Sequence, residues 1–200
     1  MRRADIHADQ STFASILNAS ANLALISLGK QLHAHVIIAR FESNIYCGSA
    51  LLDMYAKCGS FKDSAAIFGS MPERNGISWN AMISAYAKDG DAEATFRSFE
   101  EMANPGFRPD HISFLSVLTA CSHNERVDEA LRYFDTMTQT HGLVPRKEHY
   151  ASLVDVLCRR GRFAEAEDWM DRMPFEPDVV LGFELMQDPQ ESGVCKKGGL

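Results

Sequence analysis

One paragraph of sequence recurs five times in this chain, at intervals that are unequal but patterned. The copy beginning at Trp79 carries Trp79, Met82, Ile83, Tyr86, Lys88 and Gly90. Thirty-one residues earlier stand Gly48, Leu51, Leu52, Tyr55, Lys57 and Gly59, and thirty-five later stand Phe114, Val117, Leu118, Cys121, His123 and Glu125. A further step of 36 reaches Tyr150, Leu153, Val154, Leu157, Arg159 and Gly161, and a step of 35 back from the second copy reaches Phe13, Ile16, Leu17 and Ser20. Self-similarity at a period of this size marks a solenoid, in which each unit buries its apolar face against its neighbours rather than around one centre.

Each copy contains two helical signals. In the first, apolar residues fall at i, i+3, i+4 and i+7, one stripe of a 3.6-residue period. The second has the same spacing: Ser64, Ile67, Phe68, Met71; Thr95, Ser98, Phe99, Met102; Ala130, Tyr133, Phe134, Met137; and Ala166, Trp169, Met170, Met173. The small residue leading each of these stripes, with Gly29 in the first copy, lets paired helices approach closely. Gly59, Gly90 and Gly161 lie between the helices and suit a left-handed cap. Pro72, Pro109, Pro145, Pro174 and Pro177 follow the second helices, where proline stops a helix. The expected fold is all-α, a right-handed α-solenoid of stacked helix-turn-helix repeats without strands.

Composition narrows the function. No apolar run reaches the length of about 18 residues that a membrane helix needs. Cys47, Cys58, Cys121, Cys158 and Cys195 show no C-x-x-C spacing, which argues against a zinc site or a disulfide framework. The start, Met1-Arg2-Arg3, has no apolar targeting core, so any targeting signal is expected to lie outside this chain. His123-Asn124-Glu125 spells the beginning of a zinc deaminase signature, but no P-C-x-x-C follows it. With no glycine-rich phosphate loop and no nucleophile beside a base, neither a catalytic residue, a metal site nor a cofactor is assigned.

Advancing 100° per residue from the Trp79 stripe places Ile77, Asn80, Ser84 and Lys88 on the opposite face of the first helix. Stacked repeats turn such faces into one continuous strip. Lys57, Lys88, His123 and Arg159 then form a column of cationic or titratable groups, one per repeat, suited to evenly spaced phosphates. Ser49 and Asn80 add polar groups able to hydrogen-bond a base edge. The formal net charge of −7 runs against nucleic-acid binding. Most of the acids, however, fall on second helices (Glu93, Glu100, Glu101, Asp128, Glu129, Asp135, Glu165, Glu167, Asp168), away from that strip.

Trp79, Met82, Ile83 and Tyr86 nearly meet the tetratricopeptide signature, but that repeat keeps a constant period of about 34 residues and a glycine where this chain has Ile83. The segments SALLDMYAKCGS, ERNGISWNAMISAYAKDGD, FLSVLTACSHNERVDEALRYF and RKEHYASLVDVLCRRGRFAEAEDWMDRMPFEPD resemble pentatricopeptide repeats of the plant PLS subclass, which alternates long (L), short (S) and standard (P) motifs. The resemblance divides the chain into the tail of a preceding P repeat at 1–9, L at 10–44, S at 45–75, P at 76–110, L at 111–146 and S at 147–178. Residues 179–200 would begin a degenerate E motif, with a tail from about Glu184 expected to be disordered.

What the resemblance implies is sequence-specific single-stranded RNA binding, one base per repeat, by a factor in organellar C-to-U editing or RNA processing in a mitochondrion or chloroplast. Any editing cofactor or deaminase would act in trans. The family reads a base with a residue near the start of the first helix and the last residue of the repeat. These pairs are Ala14 with Asn44, Ser49 with Asn75, Asn80 with Asp110, Leu115 with Arg146, and Ala151 with Asp178. By the family's rule Ser49 and Asn75 imply adenine, and Asn80 and Asp110 imply the uracil that follows it. Leu115 and Arg146 have no assignable base. Tyr46, Ile77 and Ile112 would stack between bases, and Lys57, Lys88 and Arg159 would meet phosphates. Two alternatives are a protein-interaction scaffold whose groove holds a peptide or an editing cofactor, and a repeat fragment without function.

Overall fold

The structure, a computed structural model, describes residues 8–104 and 106–175. Ten α-helices follow one another in these residues: α1 (Gln10–Asn22), α2 (Ile26–Ile38), α3 (Ile45–Lys57), α4 (Phe61–Ser70), α5 (Gly76–Asp89), α6 (Ala92–Ala103), α7 (His111–His123), α8 (Val127–Asp135), α9 (Lys147–Arg159) and α10 (Phe163–Asp171). A π-turn, Thr136–Thr140, extends α8. No strand occurs among the described residues. Asp178, Cys195, the start of the E motif and the tail expected to be disordered lie outside the described residues, as do residues 1–7.

Odd-numbered helices are the first of each hairpin, and each packs against the next odd helix. Every second helix sits against its own first helix and the first helix of the following hairpin, α2 on α3, α4 on α5, α6 on α7 and α8 on α9. First helices therefore make one continuous wall and second helices a separate outer row. Most of the stripes expected from the 3.6-residue period are the interior: Leu17, Leu51, Leu52, Met82, Ile83, Val117, Leu118, Leu153 and Val154 are all buried, while Ile16, expected beside Leu17, is exposed. Aromatic side chains connect the hairpins, with Phe99 edge-on to Phe114 at 5.0 Å and Phe134 edge-on to Trp169 at 5.1 Å.

The small residues leading the second-helix stripes are fully enclosed. Ser64 donates to Leu52 O at 3.2 Å, and a Cβ built on Gly29 would stand 2.2 Å from Met54 Sδ, so a side chain there would force Met54 of α3 to shift. The turn between the helices requires a left-handed residue in every hairpin. Gly59, Gly90 and Gly161 supply it at φ 73°, 84° and 69°, while Ala24 and Glu125 adopt φ 51° and 54° in the two copies that lack glycine.

Candidate nucleic-acid interface

The first helices begin at side-chain caps that recur at the intervals of the sequence repeat. Asp9, Asn44, Asn75, Asp110 and Arg146 occupy the N-cap positions of α1, α3, α5, α7 and α9. Four of the five are Asp or Asn, the residues whose side-chain oxygen best accepts from the free N–H groups of a first turn. Asn44 accepts from Tyr46 N and Cys47 N at 3.0 and 3.2 Å, Asn75 from Ser78 N at 2.8 Å, and Asp110 from Ile112 N and Ser113 N at 2.9 and 3.1 Å. The residue that ends one repeat thus starts the first helix of the next. Capping alone accounts for Asp and Asn in this column, whatever else these side chains do.

Three of these caps also bond back across the seam to the preceding first helix, Asn44 to Gln10, Asn75 to Ser49 and Asp110 to Asn80. Asn80 Nδ2 donates to both carboxylate oxygens of Asp110, at 3.1 and 3.0 Å. Ser113 Oγ donates to Asn80 Oδ1 at 2.8 Å. Ser49 Oγ donates to Asn75 Oδ1 at 3.4 Å. The structure therefore brings together Ser49 with Asn75 and Asn80 with Asp110. It places Asn80 and Ser49 at the seam rather than on an open face, at 8% and 6% exposure, because neighbouring first helices pack side by side. Asp110 is exposed and opens that seam to solvent.

Ala14 is half-buried against the core, and Asn44 directs its Nδ2 to Gln10 Oε1 at 2.7 Å. Leu115 and Ala151 are likewise half-buried. Arg146 cannot accept a hydrogen bond, and α9 has no side-chain cap. Its backbone N–H goes instead to Nδ1 of the buried His149 at 3.1 Å, and His149 Nε2 donates to His111 O at 2.9 Å. Burial pushes the His149 imidazole below its ordinary pKa.

Tyr46, Ile77 and Ile112 protrude beside the seams at 62%, 67% and 55% exposure, unusual for large apolar side chains on helices whose other apolar residues are enclosed. Two of the anticipated phosphate-binding cations are already paired on their own helices. Lys57 Nζ lies 2.8 Å from Asp53 and also donates to Asn22 Oδ1, while Arg159 Nε lies 2.9 Å from Asp155, which accepts from Ser122 as well. The D-x-x-x-K and D-x-x-x-R spacings carry that signal in the sequence, since residues four apart are neighbours on a helix. Lys88 is exposed and has no ion-pair partner among the described residues. His123 points its Nδ1 at Ala87 O, 3.3 Å away.

The named acids of the second helices lie on the outer row, where Glu93, Asp128 and Glu165 pair with Arg126 and Arg162. Burial pushes the Cys121 thiol up to about 12 and the Cys158 thiol up to about 11, which keeps both as thiols near neutral pH. Among the described residues no group of three or more His, Cys, Asp or Glu side chains converges as metal ligands. No helix among them is long and apolar enough to cross a membrane.

Residues 74–123 match the PPR repeat family, and residues 49–76, 112–139 and 148–176 each match the PPR repeat. These matches take in more than half of the chain. The chain belongs to the pentatricopeptide repeat family. A pentatricopeptide repeat-containing protein of Arabidopsis thaliana is 52% identical over 181 residues, which is 90% of this chain and 22% of that protein. A second Arabidopsis relative, described as mitochondrial, is 40% identical over 98% of this chain and 21% of its own length. The chain thus spans about a fifth of the length of these curated relatives. Among solved structures, the pentatricopeptide repeat protein PPR10 in complex with an 18-nucleotide psaJ RNA element superposes with a TM-score of 0.71 at 25% identity, over 84% of this chain and 25% of that one. The PPR domain of Arabidopsis protein-only RNase P 1, in complex with tRNA, shares the fold with a TM-score of 0.69 at 14% identity, over 88% of this chain and 96% of that one.

Proposed function

We propose that this pentatricopeptide repeat chain binds single-stranded RNA along its first-helix wall, reading adenine at the Ser49–Asn75 seam and uracil at the Asn80–Asp110 seam. The observation that carries this is the way capping sets the two amides. Asn75 turns its Oδ1 toward the start of α5, accepting from Ser78 N and Ser49 Oγ, and its Nδ2 has no partner among the described residues. That leaves N–H donors, which suit an acceptor-bearing adenine edge. Asn80 spends one N–H on Asp110 and one lone pair on Ser113. One donor and one acceptor remain, which suits uracil, whose edge offers an N–H beside carbonyl oxygens. Tyr46, Ile77 and Ile112 would contact base faces on either side, and Lys88, with any charge left at Lys57 and Arg159, the phosphates.

The likeness to an RNA-bound relative supports this reading, as do hairpin intervals of 35, 31, 35 and 36 residues, which fit an L-S-P-L-S order. Within a longer protein the array would act as a specificity element in organellar C-to-U editing or RNA processing, the chemistry being supplied by a deaminase or cofactor in trans. Titration with short RNAs differing only at the adenine–uracil step tests the proposal. Preference for that dinucleotide with salt-dependent affinity is expected. Salt-independent binding, or none, would favour the protein-scaffold alternative.

A further inference from the structure

Ser113 is completely buried at the start of α7, one repeat beyond the side chain it influences. Its hydroxyl accepts from Asp110 N at 2.9 Å, which leaves its single proton to be donated. The nearest acceptor is Asn80 Oδ1 at 2.8 Å, with Asp110 Oδ1 further off at 3.1 Å. Asn80 is thereby gripped on both sides, its carbonyl by Ser113 and its Nδ2 by the Asp110 carboxylate. Left to itself, an amide rotates broadly about its last torsion and has two nearly equivalent orientations. Here the reversed orientation would set Oδ1 against carboxylate oxygens and an N–H against the hydroxyl proton.

The equivalent residues of neighbouring repeats have no such contact. Ser78 closes the same capping box on α5, but its Oγ touches only the backbone of Asn75, accepting from N at 3.0 Å and donating to O at 2.9 Å. His149, at the start of α9, binds Arg146 N and His111 O. Of these three groups, Ser113 is the one bonded to a base-reading side chain.

We infer that Ser113 is a positioning residue for base choice by the preceding repeat, holding the Asn80 amide so that one donor and one acceptor face the nucleotide. The inference rests on the proposed RNA reading and adds to it a third side chain, contributed from across the seam. Two serines with the same capping duty but different contacts make it testable. Binding of the full chain is measured against short single-stranded RNAs carrying uracil or another base at the Asn80 position. Ser113→Ala is expected to lose about three- to ten-fold of the uracil preference, the range for one hydrogen bond. Ser113→Thr, which keeps the hydroxyl, should retain it, and Ser78→Ala should leave it intact while losing comparable stability. Should Ser113→Ala not fold, Ser113→Cys, a weak donor of similar size, is read in the same way. An unchanged uracil preference in Ser113→Ala, or an equal loss in Ser78→Ala, overturns the inference. A wild-type chain that binds RNA without base preference at this position overturns the underlying reading instead.

Discussion

Asp110 caps α7 with Oδ1 while both of its carboxylate oxygens accept from Asn80 Nδ2 in the preceding repeat. One side chain thus serves helix initiation and inter-repeat contact, and the two roles separate by substitution. Asp110→Asn keeps a capping oxygen, as Asn44 and Asn75 do, so stability should change by only a few tenths of a kcal/mol, whereas Asp110→Ala should cost about 1 kcal/mol. Both variants should weaken uracil preference at that repeat. Thermal melting and RNA titration read the two effects independently, and full uracil preference in Asp110→Asn would remove the carboxylate from the reading.

The Asp53–Lys57 ion pair masks a cation on the first-helix wall. Asp53→Asn should release Lys57 for phosphate contact, raising RNA affinity and steepening the dependence of log affinity on log salt by up to about 0.7. Lys88→Ala should make that slope shallower by a similar amount. Titrations at several salt concentrations report both slopes, and an unaltered slope in each variant would show that neither lysine meets a phosphate.

Glu125 holds φ 54° at the turn position that Gly59, Gly90 and Gly161 fill elsewhere. A left-handed residue bearing a Cβ costs roughly 1–2 kcal/mol, and the exposed contact of Glu125 with Arg160, at 3.4 Å, returns little. Glu125→Gly should therefore raise the urea midpoint, with a net gain of about 1 kcal/mol after the entropy of the added glycine. Gly90→Ala should lower it. A destabilised Glu125→Gly would mean that the turn is not under strain.

His149 is held neutral, because burial disfavours its charge and both ring nitrogens are engaged, Nδ1 as acceptor and Nε2 as donor. Its folded pKa lies below the unfolded value of about 6.5, so the unfolded chain binds the extra proton first. Its contribution to stability is complete above about pH 6.5 and declines as pH falls from there toward the lowered folded pKa. The half-buried His33, also depressed by burial, acts in the same direction. Unfolding free energy followed from pH 8 to 5 should fall, and His149→Ser, which restores the residue type of Ser78 and Ser113, should flatten part of that fall. An identical pH profile in the variant would contradict this assignment.

Much of the architecture is legible in the residues because burial in a solenoid repeats with the helix period. The apolar stripes and the glycine turns are local features, each imposed by a neighbour at a fixed offset, whereas the close approach at Gly29 is to Met54 of the next hairpin rather than to the helix it is paired with. The rotation of 100° per residue places Ile77 and Asn80 on one open face, whereas the structure leaves Ile77 exposed and encloses Asn80 and Ser49 at the seams. The pairing of Lys57 with Asp53 and Arg159 with Asp155 was also written in the sequence, as i,i+4 spacings, but a column of cations read along repeats hides the acid one turn below each. Ser113 and His149 give no comparable signal, since a serine or histidine in a first turn looks like an ordinary capping partner.

By itself the sequence determined a stack of five helical hairpins at unequal intervals, with the turns in place. These depend on contacts within one hairpin and on periodic burial. Only the tertiary structure decided how the groups at the seams are bonded: that Ser113 holds the carbonyl of the Asn80 amide already expected beside Asp110, and that Asn75 Nδ2 has no partner among the described residues. Hydrogen bonds of about 3 Å between separate helices depend on the distance and rotation at which those helices pack, and no pattern along a single helix specifies either.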